Sequence, residues 1–287
     1  MKVGLAFASS LAPEPEAALE LCRHAEALGF ESVWGGEHVI RPQQIASPYP
    51  YTADGQMPGE DETPIPDPLI WLAFVAAAAP TLRLGTCILI LPQRNPVVLA
   101  KELATLDVLS GGRVELGIGV GWLEEEFSAL GVPWERRGAR TDEYVAAMRA
   151  LWAGPYAEFH GDFVDFAPVT CSPRPVNGSI PIMVGGDTPA AVRRAGRIAD
   201  GYFPGTTDPV ELRRLVEDLA VAAEKAGRSA DEIEVNAIFA AQMGDPAAGI
   251  EEFERAGVTR AMVPAVFFDG PGGDDRLEAF ARAALGA

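Results

Sequence analysis

Eight short, almost continuously apolar runs recur along the 287 residues, and each is followed by an amphipathic stretch. The runs are Lys2–Ala8, Glu31–Gly35, Leu82–Leu91, Arg113–Gly119, Ile180–Val184, Asp200–Phe203, Ile233–Phe239 and Arg260–Val263. Strands buried on one face alternate apolar and polar residues. Runs with little alternation predict strands buried on both faces, as in a parallel sheet covered by helices. The punctuation agrees. Asp67-Pro68, Asn95-Pro96, Asp208-Pro209 and Asp245-Pro246 pair a side chain that accepts a free helix N–H with a residue that has none to satisfy. Leu28-Gly29, Ala226-Gly227 and Ala256-Gly257 place glycine where a helix exit turns left-handed. Helix, glycine, strand, repeated, marks βα architecture, and eight strand–helix units predict an α/β chain folded as a (β/α)8 TIM barrel. A doubly wound sheet is the second choice, since it usually stops at about five to seven strands.

The expected helices are Pro15–Leu28, Pro68–Ala79, Pro96–Leu109, Leu123–Leu130 with Thr141–Trp152, Pro189–Ile198, Pro209–Ala226, Pro246–Ala256 and Asp275–Leu285. Two stretches exceed a minimal barrel. Val39–Pro66, after the second strand, holds six prolines and an acidic run at Glu60–Glu62. It leaves a strand end on the face where barrel enzymes carry their sites, as a lid would. Gly154–Ser179 follows the fourth helix, where a structural role is at least as natural. No linker interrupts the pattern, so residues 1–287 are read as one domain.

Charge and cysteine content narrow the partners. Lys and Arg number 23 against 41 Asp and Glu, a formal charge of −18, which argues against nucleic acid and anionic membrane surfaces. The longest apolar run, Leu69–Ala79, is too short to span a bilayer. The first eight residues read as a buried strand rather than a signal peptide. Cys22, Cys87 and Cys171 are too scattered for a disulfide framework, which suits a reduced cytoplasmic chain.

Chemistry has few candidate carriers. Gly117-Ile118-Gly119-Val120-Gly121-Trp122 closes the fourth strand, where missing side chains admit something flat or allow a tight turn. Trp122 breaks the dinucleotide fingerprint. Val184-Gly185-Gly186-Asp187-Thr188-Pro189 runs from the fifth strand into a helix start, a place suited to an anion unless Asp187 simply caps the helix. Gly85 inside the third strand marks a bulge or a close backbone approach. His38 follows the second strand, and an imidazole there can move a proton or be structural. His24 and His160 have no partner at metal-ligand spacing, and no metal is expected. No nucleophile triad is visible, which shifts the chemistry to a bound cofactor.

A longer set of residues points to a family. Leu84-Gly85-Thr86, Leu91-Pro92-Gln93-Arg94-Asn95-Pro96, Ala100-Lys101, Thr105-Leu106-Asp107, Leu109-Ser110-Gly111-Gly112-Arg113, the glycine run to Trp122, Glu126-Phe127 and Gly131 stand in order. Over residues 2 to 240 the chain resembles the bacterial-luciferase-like superfamily. It resembles most the branch assigned to the deazaflavin coenzyme F420, a likeness shared by Trp34 to Glu37-His38, Tyr49-Pro50-Tyr51, Asp54-Gly55 and Pro181 to Asp200-Gly201. The resemblance implies a barrel with insertions. It implies a cis peptide at Cys87–Ile88, so that Thr86, Cys87 and Ile88 back the cofactor ring. Val120, Gly121 and Trp122 would line the ring. Gly185, Gly186, Thr188 and Thr206 would hold its phosphate end.

His38 matches a catalytic or ring-contacting histidine of some F420 proteins. Two departures stand out: Glu37 where many relatives carry Asp, and Trp122 where some F420 sugar-phosphate dehydrogenases carry a catalytic Glu. Trp122 cannot take a proton, so it walls the pocket or stacks on ligand.

The expected activity is hydride transfer between F420 and a small organic substrate. An alternative is an FMN-dependent monooxygenase, fed with reduced flavin by a separate reductase. A third reading is a family member that binds a flavin or other ligand without turnover. A homodimer is expected from the resemblance.

Overall fold

The computed structural model describes residues 1–240 and 242–286. Its strands, in chain order, are β1 (Lys2–Ala6), β2 (Ser32–Gly35), β3 (Arg83–Thr86), β4 (Leu89–Ile90), β5 (Val114–Gly119), β6 (Ala157–His160), β7 (Asp165–Val169), β8 (Ile182–Gly185), β9 (Gly201–Phe203), β10 (Glu234–Ile238) and β11 (Arg260–Pro264). β3 and β4 are two halves of one barrel strand. With that pair counted once, β6 and β7 set aside, the rest close a parallel eight-stranded barrel in which β5 pairs with both β3 and β4. All eight expected strands are present, and the doubly wound alternative is excluded by the closure. The helices are α1 (Ala8–Leu11), α2 (Pro15–Ala27), α3 (Pro68–Val75), α4 (Pro96–Ser110), α5 (Glu124–Ala129), α6 (Arg137–Ala153), α7 (Pro189–Ile198), α8 (Pro209–Lys225), α9 (Pro246–Arg255) and α10 (Gly273–Leu285). Asp67, Asn95, Asp208 and Asp245 each accept a first-turn N–H ahead of proline, as their spacing predicts. Among the described residues, no helix is long and apolar enough to cross a membrane.

Most element ends shift by a few residues from the sequence reading, and three of the differences have a clear physical reason. The first strand stops at Ala6 rather than Ala8, because Phe7 adopts a left-handed φ of 57° and turns the chain into α1. The helix expected over Pro68–Ala79 stops at Val75. Pro80 has no N–H to offer the Ala76 carbonyl. The guanidinium of Arg113 takes the carbonyls of Ala76 at 2.6 Å and Ala79 at 2.9 Å instead. The third strand is broken after Thr86. Between the pairs Leu84–Val114 and Leu89–Ile118 it spends five residues against four of β5, so one extra residue bulges out. The insertion at 154–179 is not a plain loop but carries the antiparallel β6–β7 hairpin. Its turn is tied to α6, where Glu143 accepts the N–H groups of Asp162, Phe163 and Val164 at 3.0, 2.6 and 2.7 Å.

The amino-terminal end of the barrel is plugged by charge rather than by aliphatic packing. Arg260 is fully buried and donates to Glu115 at 2.8 and 3.1 Å, to Glu31 at two points of 3.0 Å, and to Asn236 at 3.2 Å. Burial opposes its charge, but Glu115 and Glu31 overcome that and hold the guanidinium above its ordinary range. Arg83 adds a second cation to Glu115. The Trp34 ring lies 5.2 Å from the Arg260 guanidinium carbon and caps this layer. Gly85 is required beneath that ring, since a β-carbon there would come within 2.1 Å of it. The close approach read from Gly85 is thus to Trp34.

A buried pair broken on one side leaves an uncompensated charge. Arg260→Ala is expected to lower the unfolding free energy by about 3–5 kcal/mol, and replacing Arg260 and Glu115 together by Met and Leu to recover most of that loss. Urea denaturation followed by circular dichroism measures both.

Candidate active site

The bulge delivers Ile88 to the carboxyl-terminal mouth of the barrel. The Cys87–Ile88 peptide is cis. Thr86 is buried and its hydroxyl donates to the Gly117 carbonyl at 2.7 Å. A β-carbon on Gly117 would lie 1.9 Å from the Thr86 carbonyl oxygen, and one on Gly119 would lie 2.3 Å from Ile88 Cδ1. The alternating glycines therefore make room first for the neighbouring strand's own bulge. Gly121, at φ 81°, turns the chain under Phe127, leaving Val120 and Trp122 half-buried at the rim. Cys87 lies buried beneath, and burial pushes its thiol up to about 12, so it is no nucleophile.

His38 sits at the end of β2 beside this rim. Its Nδ1 donates to Oε2 of the fully buried Glu126 at 3.2 Å. An ionised carboxylate only accepts, which assigns the proton to Nδ1 and leaves Nε2 as the basic nitrogen. Nε2 hydrogen-bonds to none of the described residues. Its ring meets Trp122 edge-on at 5.8 Å. Glu126 also accepts from the Val39 and Ile40 N–H groups at 2.6 and 3.3 Å and from Gln93 at 3.0 Å. Burial pushes this carboxyl up, but the bonds from His38, Gln93 and Ile40 outweigh it and hold it below its ordinary range.

The neighbouring acid, Glu37, is buried and engaged by other partners. It accepts from Ile90 N–H at 2.6 Å and from Arg94, which also donates to Asp67 at 2.6 Å. One guanidinium thus ties residue 37 to residue 67, the two ends of the 39–66 insertion.

The insertion folds back over the mouth. Glu125 holds it at Ala46 N–H (2.6 Å), Ser47 N–H (3.1 Å) and the Ser47 hydroxyl (2.7 Å). These bonds lower the Glu125 carboxyl to about 2. Tyr49 meets Trp122 at 5.1 Å and Tyr51 at 5.5 Å, both edge-on. An aromatic row therefore runs from His38 through Trp122 and Tyr49 to Tyr51.

Tyr51 ends that row at the second glycine loop. Gly185 and Gly186 are partly exposed, with Gly186 at φ 113°. Asp187 does not cap α7. Thr188 does, accepting from Ala191 N–H at 3.2 Å, while Asp187 accepts from Gly205 N–H at 2.6 Å. Burial pushes the Asp187 carboxyl up, toward its neutral form. Thr206 accepts from Asp208 N–H at 3.2 Å. The absence of side chains at Gly185 and Gly186 leaves room beside a helix start and two threonines for the anionic end of a phosphate-bearing cofactor. Ile88, Val120 and Trp122 offer an apolar wall for a flat ring. The two groups are thus brought to one mouth, with Thr86 and Cys87 beneath the surface. Among the described residues there is no group of three or more His, Cys, Asp or Glu able to hold a metal ion.

Sequence reasoning does not single out Glu125 and Glu126 as site residues, because nothing local distinguishes them among the three consecutive acids that open α5. The Glu126-Phe127 match to the family was the one available signal.

Glu126 has a lower carboxyl pKa folded than unfolded. Its clasp on residues 38–40 is therefore fully present above the ordinary carboxylate range and lost as pH falls through the lowered value. Protection of the Val39 and Ile40 amides from hydrogen exchange, relative to the unfolded chain at the same pH, should hold from neutral pH down to the ordinary carboxylate range and fall below it. Glu126→Gln should weaken the clasp by about 1–3 kcal/mol at neutral pH, read from the same two amides.

Residues 2–283 match the family model for luciferase-like monooxygenase. A protein of Mycobacterium tuberculosis is 37% identical over 246 residues, which cover 85% of this chain and 83% of that one. The F420-dependent glucose-6-phosphate dehydrogenase of Microbacterium testaceum is 33% identical over 216 residues, covering 73% of this chain and 59% of the relative. Among solved structures, the monooxygenase RslO1 from Streptomyces bottropensis superposes with a TM-score of 0.78 at 23% identity, covering 100% of this chain and 99% of that one, a likeness of fold. With nearly its whole length matched, and with the closed barrel and its glycine-lined mouth in place, the chain belongs to the luciferase-like monooxygenase family, as a flavin- or deazaflavin-dependent oxidoreductase.

Proposed function

We propose that this protein is an F420-dependent oxidoreductase acting on a small organic substrate at the barrel mouth. The observation that carries the proposal is His38, held at Nδ1 by Glu126 and presenting Nε2 beside the bulge and the Trp122 wall. Bound F420 would supply or accept a hydride at its deazaflavin ring. A hydride moving to or from a carbonyl carbon leaves a proton to be given to or taken from the oxygen, and Nε2 of His38 is placed to do that. Glu126 would stabilise the ring when Nε2 is protonated, and Glu37, engaged with Ile90 and Arg94, stays out of the transfer. Trp122, Tyr49 and the insertion would keep water from the transfer. Gly185, Gly186, Thr188 and Thr206 would bind the phosphate end. The F420-dependent relative supports the deazaflavin, while Trp122 in place of a carboxylate argues against sugar-phosphate chemistry of its kind.

An FMN-dependent monooxygenase is the second reading, since FMN shares a flat tricyclic ring and a phosphate with F420, and the matching family is named for monooxygenase activity.

Titration of the purified protein with F420 and with FMN, followed by fluorescence and absorbance, separates the two. The expected result is tighter binding of F420. Preference for FMN, with oxygen consumption when the flavin is reduced, would replace the first reading by the second. His38→Ala should bind F420 within about threefold of wild type while kcat falls by about 10²–10⁴. Normal turnover in that variant would remove His38 from the proton step.

A further inference from the structure

Tyr51, at the tip of the insertion, is placed where the bound molecule's charge is expected, not where its ring is. Its ring lies flat against Gly205 so closely that a β-carbon there would come within 2.2 Å of Tyr51 Cε1. Its hydroxyl lies over the second glycine loop, 4.0 Å from where a β-carbon on Gly186 would be. That hydroxyl hydrogen-bonds to none of the described residues, and the residue, 48% exposed, is braced by Tyr49. A tyrosine fixed by packing, its O–H donor unused by the protein, can give that donor to a bound acceptor in place of water. The protein groups beneath it are otherwise engaged. The Gly186 carbonyl accepts from Tyr202 at 3.0 Å, the Gly186 N–H donates to Phe203, and Asp187 holds Gly205.

We propose that Tyr51 is the insertion's ligand for the anionic end of the bound cofactor, its hydroxyl donating to a phosphate oxygen seated on Gly185, Gly186 and Thr188. The inference rests on the cofactor reading above and deepens it. It makes any further tightening of the folded-back 39–66 insertion depend on the phosphate and not on the ring. Tyr49 and Trp122 then relay the position of Tyr51 to the side of the mouth where His38 stands. A molecule lacking the phosphate would occupy the ring site without tightening the insertion.

The test compares cofactors that differ by the phosphate-bearing group. F420 is paired with its phosphate-free deazaflavin core, and FMN with riboflavin. Affinities are read by fluorescence for wild type, Tyr51→Phe and Gly205→Ala. Wild type should prefer the phosphate-bearing member of the pair it binds. Tyr51→Phe should lower affinity for that member by about tenfold, as loss of a hydrogen bond to a charged group does, and leave the phosphate-free member unchanged. Gly205→Ala displaces the ring and should reproduce that selective loss without altering the hydroxyl. Hydrogen exchange across residues 39–66 should slow on binding of the phosphate-bearing member and stay unchanged with the other. If Tyr51→Phe weakens both members equally, or neither, the role of Tyr51 is overturned while the cofactor reading stands. If wild type binds none of the four molecules, the cofactor reading fails and takes this inference with it.

Discussion

The Thr86 carbonyl oxygen fills the space that a side chain at residue 117 would need, and much of the mouth follows from that one close contact. Because residue 117 is glycine, the third barrel strand can spend an extra residue against β5 and still resume pairing at Leu89. Its register after the break sets where Ile90, Gln93 and Arg94 stand. Ile90 N–H and Arg94 then engage Glu37, and Gln93 engages Glu126. The two acids that flank His38 in space are thus oriented by the segment that emerges from the bulge. One carboxylate is drawn off to Arg94 and the other is left facing the imidazole. A bulge in one strand and a missing side chain in the next decide which acid works with the histidine.

Much of the barrel could be read from the sequence because its signals are local. A proline after an acidic or amide cap, or a glycine after a helix, acts within a turn of itself, and those helix starts stand where they were expected. The end of α3 was governed by a distant partner. Arg113 lies more than thirty residues from the carbonyls it takes from the end of α3, and nothing near Ala76 announces it. The glycine runs were legible as places without side chains. What fills them was not, since Ile88 and the Thr86 carbonyl reach them only across the sheet. His38 was recognisable by its place after β2. Its partner Glu126 lies 88 residues away within three like charges, so only the folded chain distinguishes it from its neighbours.

The two ends of the barrel are organised by opposite electrostatic habits. At the amino-terminal end, Arg260 with Glu115 and Glu31 forms a closed set of charges that satisfy one another. Such a set holds the strands in register and has little to offer a visitor. At the mouth, charges are held apart. His38 keeps one nitrogen unspoken for, Thr188 and Tyr51 carry hydroxyl protons, and burial moves Asp187 toward neutrality. A chain carrying −18 can thereby present a surface on which an anion is tolerated.

Arg94 gives this arrangement an evolutionary property. By gripping Glu37 and Asp67 together, it cinches the insertion at its neck, so the barrel meets the same short doorway whatever is threaded between those residues. The cost of closing a loop grows only slowly with its length once the ends are held. Segments of other lengths and compositions could be grafted above that neck, changing which molecules the enzyme admits while the strands below need no adjustment. The cinch separates the part of the chain that builds the barrel from the part that lies above its doorway.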